Sequence, residues 1–348
     1  MNNDTRIKFN QIKKETASAN QVLDVSEKFN LSPSVEQKLV EQMGESSDFL
    51  KQINIIGVGE QKGQKLGLGV GSPVASRTNT DSKERETAYV GSLEPNDYEA
   101  KQTNFDTHIS YRTMDAWAKF PDFARRYRLA VLKRMALDRI MVGWNGLTNT
   151  ANDTDKAANP LLQDVNIGWL ERARLNAPQR LMGYDSTGTA TADEYTIGDG
   201  GIYNTLDALA FDMLSNLLDP WHQGGDDLIL IVGRELWVNH GLTLYNQSTA
   251  ATERNALQIW LANQAVAGLP TVTVPFFPNR GAVITSYDNL SIYFQLGAVR
   301  RAMIDNPKRD RVEEYLSSND AYVIEDLGKF AGIRPESVKL KTPAGTWG

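Results

Sequence analysis

The chain has 348 residues, enough for more than one domain and a sizeable core. Hydrophobic residues make up 41% and charged residues 23%, the balance of an ordinary globular protein, and the formal net charge of −6 argues against wholesale nucleic-acid binding while leaving room for a local basic patch. Cysteine is absent, which excludes disulfides, thiolate catalysis and cysteine-ligated zinc.

The N-terminal stretch MNNDTRIKFNQIKK has no apolar signal-peptide core. No window approaches the ~18 uninterrupted apolar residues of a membrane helix, so no membrane partner is expected. Residues 5–28 are charged, with sparse apolar positions such as Ile7, Phe9 and Ile12. They predict a weak amphipathic helix that depends on a partner. Asn30-Leu31-Ser32-Pro33 breaks it. Ser34 is placed to cap the next helix, with Gln37 at capping-box spacing and Val35, Leu39, Val40 and Met43 as its apolar stripe. Ile53 to Val58 is strand-like.

KGQKLGLGVGSPVASRTNT (Lys62–Thr80) follows, with Gly67, Gly69 and Gly71 at every second position. A phosphate-binding P-loop needs lysine and a hydroxyl directly after its last glycine, and Ser72-Pro73 stand there instead. In a dinucleotide fingerprint the third glycine would have to come one residue earlier than Gly63, and an apolar helix would have to follow. The alternation of Lys65, Leu66, Gly67, Leu68, Gly69 and Val70 fits an extended ribbon with faces of opposite character. Glycine weakens such a ribbon and admits another backbone. The expectation is a long hairpin with little core, in need of a neighbour.

Residues 98–111 predict a strand. A helix from Asp122 to Val142 follows, started by Pro121-Asp122 and stopped by Gly143 and Gly146. Leu129, Leu132, Ala136, Ile140 and Gly143 step by three and four and mark its buried face. Its other positions carry Arg125, Arg126, Arg128, Lys133, Arg134 and Arg139 against only Asp122 and Asp138. Such a run is either a solvated face with salt bridges or a surface for a polyanion or acidic subunits. Asn149–Asn159 is a polar loop; Val165–Asn176 and Leu206–Leu218 are helical; Leu228–Val232 is a buried strand. A helix over Arg254–Val266 and a strand over Thr271–Val274 come next. Ala282–Ser286 and Leu290–Phe294 suggest a hairpin about Tyr287-Asp288-Asn289. Arg300–Ile304, Arg311–Ser317 and Ala321–Asp326 complete a strand-rich ending. The fold class is α+β rather than a regular βαβ series.

No constellation asks for an enzyme, a cofactor or a metal. His108, His222 and His240 stand alone, HExxH is missing, and no G-x-S-x-G elbow occurs. Asp226-Asp227 and Glu313-Glu314 are neighbours that would point to opposite faces of a strand, so neither makes an acid/base dyad.

Several stretches carry a family likeness: ESSDFLKQINI (Glu45–Ile55), NPLLQDVNIGWL (Asn159–Leu170), LPTVTVPFFP (Leu269–Pro278), DNLSIYF (Asp288–Phe294) and RRAMIDNPKRDRVEEYLSSNDAYVIED (Arg300–Asp326). Together, in order from about Arg6 to Asp326, they resemble the major capsid proteins of P-two-like temperate tailed bacteriophages. The resemblance implies the Hong Kong 97-type capsid fold, with an N-terminal arm or assembly segment (1–50), an extension loop (51–97), a peripheral domain (98–205) containing a long spine helix (122–142), an axial domain (206–294), and return strands with a C-terminal tail (295–348). It implies that Lys62, Lys65, Gly67, Gly69, Gly71 and Arg77 lie at a subunit interface in the extension loop. It places Arg125, Arg126, Arg128, Lys133, Arg134 and Arg139 as candidates for the inner, DNA-facing side, and Phe29 and Asn30 at a maturation cleavage. The implied partners are copies of itself in pentamers and hexamers, a scaffolding protein and maturation protease, a portal protein, and packaged double-stranded DNA bound without sequence specificity. The implied place is the virion, assembled in the host cytoplasm. A nanocompartment shell of the same fold, enclosing protein cargo in the manner of encapsulins, is the alternative.

Overall fold

In the computed structural model the described residues are all but 70–74, 76, 86, 88–91, 118–119, 121, 248–264 and 342–345, with the backbone alone described at 65–69, 92–96, 123–124 and 244–247. The first helix, α1 (Asn3–Asn20), is shorter than the expected 5–28. It stops where Gln21 takes a left-handed φ of 56° and the Val22 amide folds back onto the Ala17 carbonyl. It also docks on its own subunit, where Phe9 and Val25 form a small cluster with Tyr111, Met114, Met303 and Val312. A two-residue strand, β1 (Phe29–Asn30), precedes α2 (Pro33–Glu45). The cap of α2 is Ser32 rather than Ser34, because Pro33, with its fixed φ and missing N–H, is suited to open a helix. Val40 and Met43 are buried, as their stripe predicts.

β2 (Asn54–Val58) leads into the antiparallel pair β3 (Lys62–Gly69) and β4 (Ser92–Glu99), in register from Lys62↔Glu99 to Gly69↔Ser92. β5 (Lys101–Asn104) and β6 (Thr107–Ser110) replace the single strand expected over 98–111, and α3 (Tyr111–Trp117) follows. The long helix α4 (Phe123–Asn145) has 23 residues, about 35 Å at 1.5 Å per residue. Leu132, Ala136 and Ile140 are buried on it, but Leu129 is half exposed because the core stops a turn short of it. α5 (Trp169–Asn176), β7 (Leu181–Met182), β8 (Tyr195–Ile197), α6 (Leu206–Asn216), β9 (Ile229–Val232) and α7 (Arg234–Gln247) come next. α7 has no counterpart among the sequence expectations. The helix expected over 254–266 falls outside the described residues up to 264, and Ala265–Val266 is a short strand, β10. The chain ends through β11 (Leu269–Val272), β12 (Ala282–Thr285), β13 (Leu290–Gln295), β14 (Arg300–Asn306), β15 (Arg311–Ile324), β16 (Ala331–Ile333) and β17 (Val338–Leu340).

Two large sheets take most of these strands, and the two-stranded pairs β3–β4 and β8–β17 stand apart from them. A seven-stranded sheet has the order β1-β14-β15-β13-β2, with β5 and β6 also on the long strand β15. A six-stranded sheet has the order β10-β11-β9-β12-β16-β7. The expected hairpin of β12 with β13 does not form: β12 pairs with β9 and β16, and β13 with β15 and β2. Every residue of β12 and all but the last of β13 are buried. Strands so apolar need cover on both faces, which two sheets supply and a lone hairpin cannot. Sheet membership therefore does not follow the expected boundary after residue 294, since β13 lies with β14 and β15 while β16 returns to β12.

The period of two along β9 and β12 splits their side chains between two cores. Ile229, Ile231 and Val283 join the main cluster under α4 with Leu290, Ile292, Leu316 and Ile324 of the other sheet. Leu230, Val232, Ala282 and Ile284 join a second cluster under α6. The main cluster thus ties both sheets to the long helix.

Candidate assembly surfaces

Among the described residues, the hairpin β3–β4 is fastened at its root. Tyr98 packs edge-on against Tyr293 at 5.1 Å, over a small cluster of Ala100, Tyr293, Ala321 and Val323. The Ala100 amide donates to the Gln61 carbonyl at 2.8 Å, and the Gln61 side chain donates back at 3.1 Å. Arg172 of α5 donates to the Asp97 carbonyl at 3.0 Å, and burial pushes its guanidinium below the ordinary arginine value. Glu99 receives Lys62 at 2.9 Å and Lys101 at 3.0 Å, and those two hydrogen bonds hold its carboxyl below the usual range. Lys62 is largely exposed and Arg77 is exposed. Lys65, Gly67 and Gly69 are described by backbone only, all within β3. Gly71 lies outside the described residues.

The candidate basic face of α4 divides into three. Arg125, Arg128 and Lys133 are exposed and have no carboxylate partner among the described residues. Arg126 pairs with Asp122 at 2.6 Å, and Arg134 with Asp138, each across one helical turn. Arg139 does not belong on an exposed face. It is 3% exposed, donates twice to Asp320 at 3.0 Å and once to Ser318 at 3.1 Å, and lies over the Phe105 ring. The sequence pattern could not separate it from its neighbours, because the matching carboxylate is 181 residues away on β15.

Beside this ion pair, α4 meets α5 through aromatic rings. Trp169 touches Trp144 at 5.0 Å and Tyr322 at 5.4 Å between centroids, and Phe277 closes on Trp144 at 4.8 Å. The Trp169 indole N–H donates to the Ser291 carbonyl at 3.1 Å. Gly143 is the point of closest approach, where an added Cβ would come to 2.4 Å from the Trp169 ring.

At the N-terminal arm, Asp305 accepts from both Arg6 and Tyr111. Burial opposes the charge on Asp305, but these two donors outweigh it and keep its carboxyl below the usual range. The candidate cleavage position is structured: Phe29 pairs with Arg301 and Asn30 with Arg300 along β14. The Leu31 amide continues the pairing to the Val299 carbonyl at 2.9 Å.

The three histidines remain apart, and no group of three metal-ligating side chains occurs among the described residues. His222 meets Asp326 at 2.9 Å, and His240 is buried 3.8 Å from Asp207. Glu313 and Glu314 face different partners: Arg311, Asn306 and Tyr315 for the first, Arg301 for the second. No helix among the described residues is long and apolar enough to cross a membrane.

A chain with a weakly cored hairpin, a long helix and a two-sheet body matches a family profile described as "Phage major capsid protein, P2 family" over residues 8–334. The chain belongs to this family. It is 43% identical to "Capsid proteins" of Escherichia phage P2 over 352 residues, covering 99% of this chain and 98% of that one. It is 39% identical to the "Major capsid protein" of Serratia phage KSP20, covering 96% and 97%. Among solved structures it is similar to a chain of the satellite phage P4 procapsid, which includes the size determination (Sid) protein: 41% identity, a TM-score of 0.78, and coverage of 98% and 99%. A capsid of an empty GTA particle shares only 13% identity but superposes with a TM-score of 0.51 over 83% of this chain and 89% of its own, a likeness of fold alone. The fold is the α+β Hong Kong 97-type capsid fold. The chain is thus a structural capsid protein of a tailed phage and a component of the virion.

Proposed function

We propose that this chain builds the icosahedral head of a tailed phage as pentamers and hexamers, and that the head encloses double-stranded DNA. The observation that carries the reading is the hairpin. β3 and β4 pair with each other over eight residues, and among the residues whose side chains are described the anchors to the body lie near the root, at Asp97 to Ala100. Such a ribbon buries little alone and gains cover from a neighbouring subunit. In this reading β3–β4 is the extension loop, α4 the spine of a peripheral domain, and the six-stranded sheet with α6 and α7 the core of an axial domain. Heterologous contacts between copies close into rings and then a shell. A scaffolding protein, a maturation protease and a portal act on it in the host cytoplasm. Exposed Arg125, Arg128 and Lys133 are the remaining candidates for the face toward DNA, through phosphate contacts without base readout. The basis for that placement is their unpaired charge; Arg139 is withdrawn from it.

The register defines a clean test. Joining Lys65 to Asn96 by a short turn removes residues 66–95 as a matched pair of strands. The truncated subunit is expected to fold and stay soluble, and negative-stain microscopy with the scaffolding partner is expected to show no closed shells. Normal shells from this variant would refute the hairpin's role. Particles of the intact chain that held protein cargo and no DNA would favour a nanocompartment.

A further inference from the structure

The segment from Phe29 to Glu36 is held on the edge of the seven-stranded sheet by few bonds. β1 pairs with β14 over two residues, and the Leu31 amide adds one more bond. Next, the Ser32 amide donates to Asn20 Oδ1 at the end of α1 at 3.3 Å, and beyond it stands Glu36. It lies on α2, is 1% exposed, and accepts one hydrogen bond, from the Gly297 amide at 3.1 Å to Oε2. Its Oε1 is buried without a hydrogen-bond partner among the described residues. Gly297 stands at φ +71° in the turn between β13 and β14, a conformation that suits glycine and aims its N–H at the carboxyl. A carboxylate sealed this way buries charge on an oxygen without a partner, whereas a neutral carboxyl leaves only an uncharged O–H there, at much lower cost.

Among the described residues no cation pairs with Glu36 to compensate. The 295–299 turn and β1 carry no charged residue, nor does β2. On β14, Arg301 is held by Glu314, and Arg300 is exposed. On α4, Arg139 is taken by Asp320 and Arg134 by Asp138. On α2 itself Lys38, Glu41 and Glu45 are exposed.

We propose that Glu36 is a protonation-gated latch, which keeps residues 29–36 on the sheet edge while neutral and loosens them when ionised. Its consequence for processing rests on the capsid-maturation reading. A protease needs an extended, unpaired stretch, and the Phe29–Asn30 bond is paired to β14 until the latch opens. Burial pushes the Glu36 carboxyl above its ordinary 4.5, and the single Gly297 hydrogen bond only partly offsets this. Undocking therefore releases a proton between the ordinary value and the raised one. Docking is firmest below 4.5, weakens as pH rises through the raised value, and levels off above it.

Hydrogen exchange on the unassembled full-length subunit, expressed as protection factors between pH 5 and 8, tests the latch. In the wild type, protection over residues 29–36 is expected to fall with rising pH by up to about tenfold per unit, the slope that one proton sets. In Glu36→Gln and Glu36→Leu it is expected to stay level, while β12 and β13 keep wild-type protection in all three proteins. Glu36→Leu separates charge from hydrogen bonding, since it lacks both the charge and the acceptor. The same pH profile in all three proteins would overturn the latch. Cleavage near Phe29 in coexpression with the maturation protease, read by intact mass, is expected to slow in Glu36→Gln. Unchanged cleavage alongside a confirmed latch would overturn the processing role alone. Failure of every variant and of the wild type to form shells would instead count against the capsid reading.

Discussion

The hairpin β3–β4 and the junction of α4 with β15 are made of opposite materials. The hairpin alternates lysine, leucine and glycine, and of its charged anchors Lys62 is largely exposed while Lys101 and Glu99 are half-buried. The junction has the only arginine of the basic helix that is sealed from water, paired to a carboxylate that is 1% exposed, and stacks indole and phenol rings edge to face. One region is left with surface to offer another molecule. The other turns its apolar area and its Arg139–Asp320 pair inward, within the subunit. The two sit at either end of the same short stretch of sheet: β15 pairs with β5 directly after the hairpin, and Asp320 lies opposite Lys101. In the proposed role of an intersubunit arm the hairpin needs a rigid mount, and the buried junction beside its root supplies one.

The comparison predicts a steep gradient in mutational cost, and each substitution below can break it. Arg139→Ala leaves Asp320 charged and buried without a partner. It is expected to destabilise the subunit by about 3–5 kcal/mol, measured by urea unfolding of the unassembled protein. Arg139→Met with Asp320→Leu is expected to regain most of that loss, since removing both charges avoids the stranded one. A loss near zero for Arg139→Ala would mean the junction is not the mount.

Gly143→Ala sharpens the same point one helical turn on. Alanine is ordinarily the better helix residue by about 1 kcal/mol. Here its Cβ would press on Trp169, which Trp144 and Tyr322 hold in place. Overpacking is expected to win, with a net loss of about 1–3 kcal/mol and a lowered melting temperature. A gain would show that the Trp169 ring can move.

Lys62→Ala at the hairpin root is expected to change subunit stability by less than about 1 kcal/mol, because Lys62 is largely exposed and Lys101 remains on Glu99. The small contribution is present above pH 4.5 and is lost as pH falls through the lowered value of Glu99. It also fades with added salt. A loss as large as that of Arg139→Ala would erase the contrast between the regions.

What the sequence alone determined is local and periodic. The glycine alternation marks a ribbon with little to bury, the steps of three and four across Leu132, Ala136 and Ile140 mark the inner face of α4, and the long motifs carry the family. These are legible because backbone geometry repeats every two or 3.6 residues, so a short window holds the whole signal. The tertiary structure alone decided three other things. It placed β12 and β13 in different sheets, because a run of buried residues says that cover is needed but not from which strands. It took Arg139 out of a row of like-charged neighbours, because its partner arrives from 181 residues away. It buried Glu36, which by sequence is an ordinary first-turn glutamate of an amphipathic helix, because the 295–299 turn closes over it. In each case the deciding contact is between residues far apart in the chain, and burial, the quantity that sets its strength, is a property of the folded whole.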